Sequence, residues 1–205
     1  MITIINYGSG NIRAIGNIYD VLNIPYEVAD SIKEIEKADK IILPGVGAFD
    51  ETIEKLNTNG FRKLLEQKVL VDKVPILGIC VGMQMLANNS EEGTLSGLGW
   101  IDGKVKKFDK NKIIGKPKLP HLGWNSIRII KESPLLKDID EEGGFYFIHS
   151  YYFECKDTND IMSTTEYGIE FHSSVNRDNI YGVQFHPEKS HENGIQLLKN
   201  FALLC

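Results

Sequence analysis

The sequence is poor in cysteine. Its 205 residues include three, Cys80, Cys155 and Cys205. No CxxC pair and no Cys/His cluster is present, so no metal, no cofactor and no disulfide framework is expected. Long apolar runs are also missing. The longest, from Val74 to Ala87, is interrupted by Gln84 and falls short of the roughly 20 residues a membrane span requires. Basic residues are outnumbered, with 23 Lys+Arg against 28 Asp+Glu and a net charge of −5, which argues against a nucleic-acid partner. The opening MITIINYGSG carries neither a basic leader nor a cleavage site. Reduced thiols in a cytoplasmic protein are therefore the expectation. No linker, repeat or low-complexity segment divides the chain. One domain over residues 1–205 is expected, large enough to bury a full core.

What is present alternates in the first half. ITIIN (2–6) is apolar and β-branched and reads as a buried strand. YGSGN follows as a loop, with Asn11 able to cap a helix that carries Ile12, Ile15, Tyr19 and Leu22 on one face. PYEVA is a second strand, and Asp30 and Ser31 open a short helix. KIILP (40–44) is a third strand ending in the turn PGVG. A helical stretch then places Phe61, Leu64 and Leu65 toward the sheet, and PILGIC (75–80) is a fourth strand. Strands alternating with helices imply an α/β fold with a mostly parallel central sheet flanked by helices. From Leu98 onward, GWIDGKVKKF, HLGWNSIRII, GGFYFIHSYYF, GIEFHSSV and YGVQFH read as strands without long helices between them. This half is expected to add an antiparallel portion, closed by a helix over 192–204.

Two local patterns carry chemistry. Gly78-Ile79-Cys80-Val81-Gly82 is G-x-C-x-G, the thiol form of a nucleophile elbow, and VGMQMLA behind it reads as a helix. Such a turn exposes the side chain at the carboxyl edge of the sheet, where open α/β folds bind ligands. A free thiol has a pKa of about 8.5, and a helix N-terminus and a nearby imidazole both favour the reactive anion. The N–H of Val81 can point at a developing oxyanion. A buried structural cysteine is the bland alternative. The second pattern is Gln184-Phe185-His186-Pro187-Glu188-Lys189-Ser190. In an extended segment His186 and Glu188 face the same way, so the carboxylate can orient an imidazole that moves protons for Cys80. Alone, His-x-Glu is usually a surface pair. With the elbow it becomes a Cys-His-Glu set.

The elbow, the PGVG turn upstream and QFHPE downstream together resemble the class I (triad) glutamine amidotransferases, over essentially the whole chain. YGSGN, LPGVGAF, GICVGMQ, SGLGW, LPHLGWN, YFIHSYY and GVQFHPEKS are similar to one branch, the glutaminase subunits of imidazole glycerol phosphate synthases. HLGWN and YFIHSYY separate that branch from relatives that make GMP, CTP, anthranilate or carbamoyl phosphate. The resemblance implies that Cys80, His186 and Glu188 hydrolyse L-glutamine through a thioester. It implies that the backbone of Gly45 or Val46 joins Val81 in an oxyanion hole, and that Gln84, Glu92, Ser150 and Tyr151 hold the substrate. It further implies a heterodimer with a cyclase subunit of histidine synthesis, docked over the site mouth through Asn11, Trp124, Tyr146 and Lys189. Trp124 reads equally well as core. Met83 and Met85 read as core filler, and His121, His149, His172 and His191 as structural or surface residues. Asn6, where the family more often has an acidic residue, and SHENG after HPEK depart from the pattern. They leave open a paralogue serving another ammonia acceptor, such as a surface-sugar amidotransferase. A stand-alone thiol hydrolase and a non-enzymatic scaffold are the other readings.

Overall fold

All four side chains of β1 (Ile2–Ile5) are buried, as expected of a β-branched run covered on both faces of a sheet. The computed structural model, which describes residues 1–111 and 118–205, pairs β1 in parallel with β2 (Tyr26–Ala29) and β3 (Lys40–Gly45). β3 in turn pairs in parallel with β4 (Ile76–Cys80). Between these strands run α1 (Ile12–Leu22), α2 (Ile32–Ile35), α3 (Phe49–Thr58) and α4 (Phe61–Glu66), the last continuing as a π-helical turn over Gln67–Val71. α1 buries Ile15 and Tyr19, with Ile12 and Leu22 packed at its edges. Ser31 and Glu34 close the start of α2, where Glu34 Oε2 accepts the Ser31 N–H at 2.9 Å. Asn11 sits at the N-cap of α1, but its side chain makes no capping bond.

The second half contains β5 (Asn89–Ser90), β6 (Gly103–Lys107), β7 (His121–Asn125), β8 (Arg128–Ile129), β9 (Phe145–His149), β10 (Tyr151–Cys155), β11 (Ile161–Glu166), β12 (Glu170–Arg177) and β13 (Ile180–Val183). α6 (His191–Leu204) closes the chain and buries Leu197, Leu198 and Phe201. The main sheet runs β2-β1-β3-β4-β13-β12-β10-β6-β5, with β11 and β8 branching from β12. β7 and β9 form a separate antiparallel ribbon.

Three features differ from the expectation. β13 joins the two halves: it pairs antiparallel with β12 but lies parallel to β4, with Val183 opposite Ile79. β11 is a strand the apolar pattern does not reveal. Its buried positions include Ser163, Thr164 and Thr165, and Ser163 Oγ is satisfied by the hydroxyls of Ser173 and Ser174 rather than by apolar packing. The helix after Cys80, expected over VGMQMLA, is the single turn α5 (Val81–Gln84). It stops because the loop at 97–101 takes the carbonyls a longer helix would use. The N–H of Leu98 bonds the Met85 carbonyl at 2.7 Å, and that of Trp100 bonds the Leu86 carbonyl at 2.9 Å.

Candidate active site

Parallel pairing of β13 with β4 builds the site. One residue after Ile79 comes Cys80, and three residues after Val183 comes His186, so the two side chains leave the same sheet edge together. Cys80 adopts φ 56° and ψ −113°, a backbone conformation that costs a non-glycine residue on the order of 1–3 kcal/mol. Gly82 permits the turn: a Cβ there would lie 1.9 Å from the Leu43 carbonyl oxygen. The elbow is thus wedged against β3, and Gly45 at the end of β3 is in register with Cys80.

His186 is itself extended and caps a 3₁₀ turn over Pro187–Lys189, so Glu188 follows it in a turn and not in a continuous strand. The turn still brings Glu188 back, and its Oε1 lies 2.8 Å from His186 Nδ1, both side chains being buried. The other ring nitrogen, Nε2, is buried without a nitrogen or oxygen partner and lies beside the Cys80 sulfur. Burial is the largest single influence on the ring and disfavours its charged form. The Cys80 sulfur and the Glu188 carboxylate together outweigh it, and the His186 pKa is raised. Backbone bonds fix this segment to β9. The His186 N–H donates to the Tyr146 carbonyl at 2.9 Å, while the Tyr146 N–H donates to Ser190 Oγ and Ser190 Oγ donates to the His186 carbonyl. Phe145 and Phe185, stacked 3.8 Å apart and fully buried, lock the same two elements.

A cleft of about 380 Å³ opens over Cys80 and His186. Val46, Val81, Gln84, Glu92, Ser150, Tyr151 and Lys189 all line it, so the residues singled out in the sequence for substrate converge there. Gln84 is buried and donates from Nε2 to the Tyr151 carbonyl at 3.2 Å and to Gln184 Oε1 at 3.0 Å. Glu92 accepts the Phe49 N–H, one of the unpaired donors at the start of α3, and burial raises its pKa. The Val46 N–H does not point freely into the cleft. It donates to Ser9 Oγ of the YGSGN loop at 2.9 Å, and that hydroxyl also donates to the Val46 carbonyl. An oxyanion role for Val46 therefore requires the Ser9 bond to open.

Gln184 was not singled out in the sequence, yet its Nε2 lies 3.8 Å from Cys80 Sγ. The signal was available: Gln184 and His186 are two apart in an extended stretch and so share a face.

The sequence matches the family model for glutamine amidotransferase class-I over residues 4–205. The chain belongs to the class I glutamine amidotransferases. It is 48% identical to the imidazole glycerol phosphate synthase subunit HisH of Leptospira interrogans, with all of each chain covered. It is 50% identical to the subunit of the same name from Bdellovibrio bacteriovorus, with 98% of this chain and 99% of that one covered. Among solved structures, the fold is similar to that of a glutamine amidotransferase at a TM-score of 0.72 and 14% identity, covering 98% of this chain and 97% of the other. A putative GMP synthase subunit from Thermoplasma acidophilum gives a TM-score of 0.70 at 20% identity, with coverage of 98% and 91%.

In this amidotransferase the β7–β9 ribbon presents an exposed apolar face, of which Ile148 reaches the cleft. Trp124 is 48% exposed, which removes it from the core. It stacks on His191 with ring centroids 5.2 Å apart and meets the edge of Tyr146. Trp124 pairs with Tyr146 and Leu122 with Ile148 across the β7–β9 ribbon, and Leu122 and Ile148 are also exposed. Lys189 holds its ammonium 5.5 Å from the Tyr146 ring centre. Among the described residues, no helix is long and apolar enough to cross a membrane.

Proposed function

We propose that residues 1–205 form one glutamine amidotransferase domain that serves as the glutaminase subunit of a cytoplasmic imidazole glycerol phosphate synthase. The observation that carries this reading is the Cys80 elbow beside the His186–Glu188 pair, in a chain that matches named HisH subunits from end to end. Cys80 Sγ attacks the side-chain amide carbon of L-glutamine. His186 Nε2 carries the thiol proton to the leaving nitrogen, and ammonia departs. Water, deprotonated by His186, then attacks the γ-glutamyl thioester. Glutamate leaves and the thiol regains its proton. Val81 with Gly45 or Val46 supplies backbone donors to the oxyanion. Gln84, Glu92, Ser150 and Tyr151 hold the amino-acid end of the substrate. Ammonia released into water would be protonated and lose its nucleophilicity, so the acceptor cyclase must seal the cleft mouth.

The bond from Val46 to Ser9 supports low activity in the isolated subunit. Purified alone, the chain should hydrolyse glutamine slowly, and the cyclase with its nucleotide ligand should accelerate it. Glutamate formation with and without both components is the measurement. A full rate in isolation, unchanged by partner and ligand, would instead favour a stand-alone hydrolase. Stimulation by a surface-sugar synthase and not by the cyclase would identify the paralogue.

The ribbon face and Lys189 are the proposed docking surface, together with Asn11 on the YGSGN loop. Trp124 has the exposure and amphipathic character of an interface anchor. Its truncation should cost about 2 kcal/mol or more of binding to the cyclase. Asn11→Ala and Lys189→Ala should weaken binding or ligand stimulation less. Titration calorimetry on folded variants tests this, and three wild-type affinities with normal stimulation would move the docking face elsewhere.

A further inference from the structure

β9 ends at His149 in the ribbon, and β10 begins at Tyr151 in the main sheet. Ser150 is therefore the corner where the chain passes from one sheet to the other. The Ser150–Tyr151 backbone also lines the cleft. The Phe108 N–H holds the Ser150 carbonyl at 3.2 Å, whereas the Tyr151 carbonyl is held by side chains.

A line of three side chains, running between two backbone carbonyls, fixes the Tyr151 carbonyl. His149 Nδ1 lies 2.7 Å from the Tyr151 carbonyl oxygen. His149 Nε2 lies 3.0 Å from His121 Nδ1, and the two residues are direct cross-strand partners. His121 Nε2 lies 3.2 Å from Asn125 Nδ2, which also donates to the Glu166 carbonyl at 2.9 Å. Both ends of the line are carbonyl oxygens, which only accept. Nδ1 of His149 must then carry the proton, so its Nε2 accepts. His121 must likewise carry its proton on Nδ1 and accept from Asn125 at Nε2. Donation then runs outward from the Asn125 amide, to Glu166 on one side and one way through both rings to Tyr151 on the other.

We propose that Asn125, His121 and His149 are positioning residues that hold the Tyr151 carbonyl, and with it the substrate strip, through this one-way hydrogen-bond line. The proposal rests on the glutaminase reading of the cleft. The Tyr151 carbonyl also accepts from Gln84 Nε2, and Gln84 meets Gln184, whose amide reaches Cys80 Sγ. A displaced Tyr151 carbonyl thus loosens Gln84 as well as the strip. Protonation of His149 would set two N–H groups against each other across the 3.0 Å gap to His121, and protonation of His121 would do the same across the 3.2 Å gap to Asn125. Burial opposes this by lowering both pKa values, to about 4 for His121 and about 3 for His149. The line starts on β7, whose outward residues Leu122 and Trp124 belong to the proposed docking face, so it joins that face to the substrate strip.

His121→Phe is the informative variant. His121 stacks between Phe147 and Tyr167, so a phenyl ring keeps the packing and removes the Nδ1 donor. Measured in the complex with the cyclase and its ligand, KM for glutamine should rise roughly three- to tenfold, the effect of one neutral hydrogen bond, while kcat changes by less than about twofold. In a His149→Asn background, where a side-chain amide donates to Tyr151 without needing His121, His121→Phe should add no further rise. Two-bond ¹H–¹⁵N correlation of the imidazoles in the wild-type complex should find both rings neutral with the proton on Nδ1. This last measurement stands even if a variant does not fold. A proton on Nε2 of either ring, an unchanged KM in folded His121→Phe, or additive losses in the double variant would each overturn the proposal. Absence of glutamine hydrolysis by the wild-type complex would instead overturn the glutaminase reading, and the tautomers would still report on the line.

Discussion

Replacing Cys80 with Ala should abolish glutamine hydrolysis, while the complex with the cyclase continues to turn over when ammonium salt is added. Both parts of the result are needed. The sulfur sits at a strained elbow, φ 56° and ψ −113°, with Gly82 pressed against the Leu43 carbonyl to make room for the turn. No fold-level reason demands a cysteine there; alanine leaves the packing of β3 against α5 intact. On the proposed mechanism, without the sulfur no thioester forms and His186 has no nucleophile to deprotonate. The acceptor reaction lies on another polypeptide, so external ammonia bypasses the lesion. Glutamate release and ammonium-dependent product formation, measured on the same preparation, give the two readouts. Retained glutaminase activity in Cys80→Ala would remove Cys80 from the mechanism. Loss of both activities would mean that the substitution disrupts the complex rather than the chemistry.

His186→Ala should lower stimulated glutaminase turnover by about 10²–10⁴-fold, the range of general acid–base contributions. Glu188→Gln should cost less. In the proposed mechanism the imidazole itself carries the proton from Cys80 to the leaving nitrogen, whereas Glu188 touches only Nδ1, at 2.8 Å, and would set the orientation and charge preference of the ring. A glutamine amide at that position can still accept the Nδ1 hydrogen bond, but its neutral carbonyl no longer favours the imidazolium. The His186 pKa, raised in the wild type by Cys80 and Glu188 against burial, should therefore fall in Glu188→Gln. The sign is fixed: a pKa lowered toward the ordinary imidazole value moves any rate dependence on the charged ring to lower pH. Rates of the two variants across pH, in the stimulated complex, check both statements. Wild-type turnover in His186→Ala would exclude it as the proton carrier.

The apolar β-branched runs at Ile2–Ile5 and Ile76–Cys80, with α1 between the first two strands, were sufficient for a parallel α/β sheet. Such runs can be buried only where both sheet faces are covered. The elbow was legible for a similar reason. Gly78 and Gly82 flank Cys80 because any Cβ at those positions would collide with neighbouring backbone, and that constraint is written in two letters. The pairing of His186 with Glu188 was legible as proximity, although it comes from a 3₁₀ turn rather than from an extended strand.

Other features depended on partners remote in sequence. VGMQMLA has helical character beyond Gln84, yet the backbone of the 97–101 loop claims the carbonyls a longer helix would use. β11 was invisible because Ser163 is buried by hydrogen bonds to Ser173 and Ser174, not by apolar contact. Likewise, the engagement of the Val46 N–H by Ser9 joins residues 37 apart. The sequence by itself determined the parallel core, the tight turn at Cys80 and the closeness of His186 to Glu188, because local sterics and side-chain periodicity act within a few residues. Tertiary structure alone decided that β13 inserts parallel to β4 and so sets His186 beside Cys80. It also decided that Trp124 faces solvent and that His121 and His149 meet within hydrogen-bond distance. Strand order and hydrogen-bond sense are settled by long-range pairing, where each donor must find an acceptor that no local pattern names.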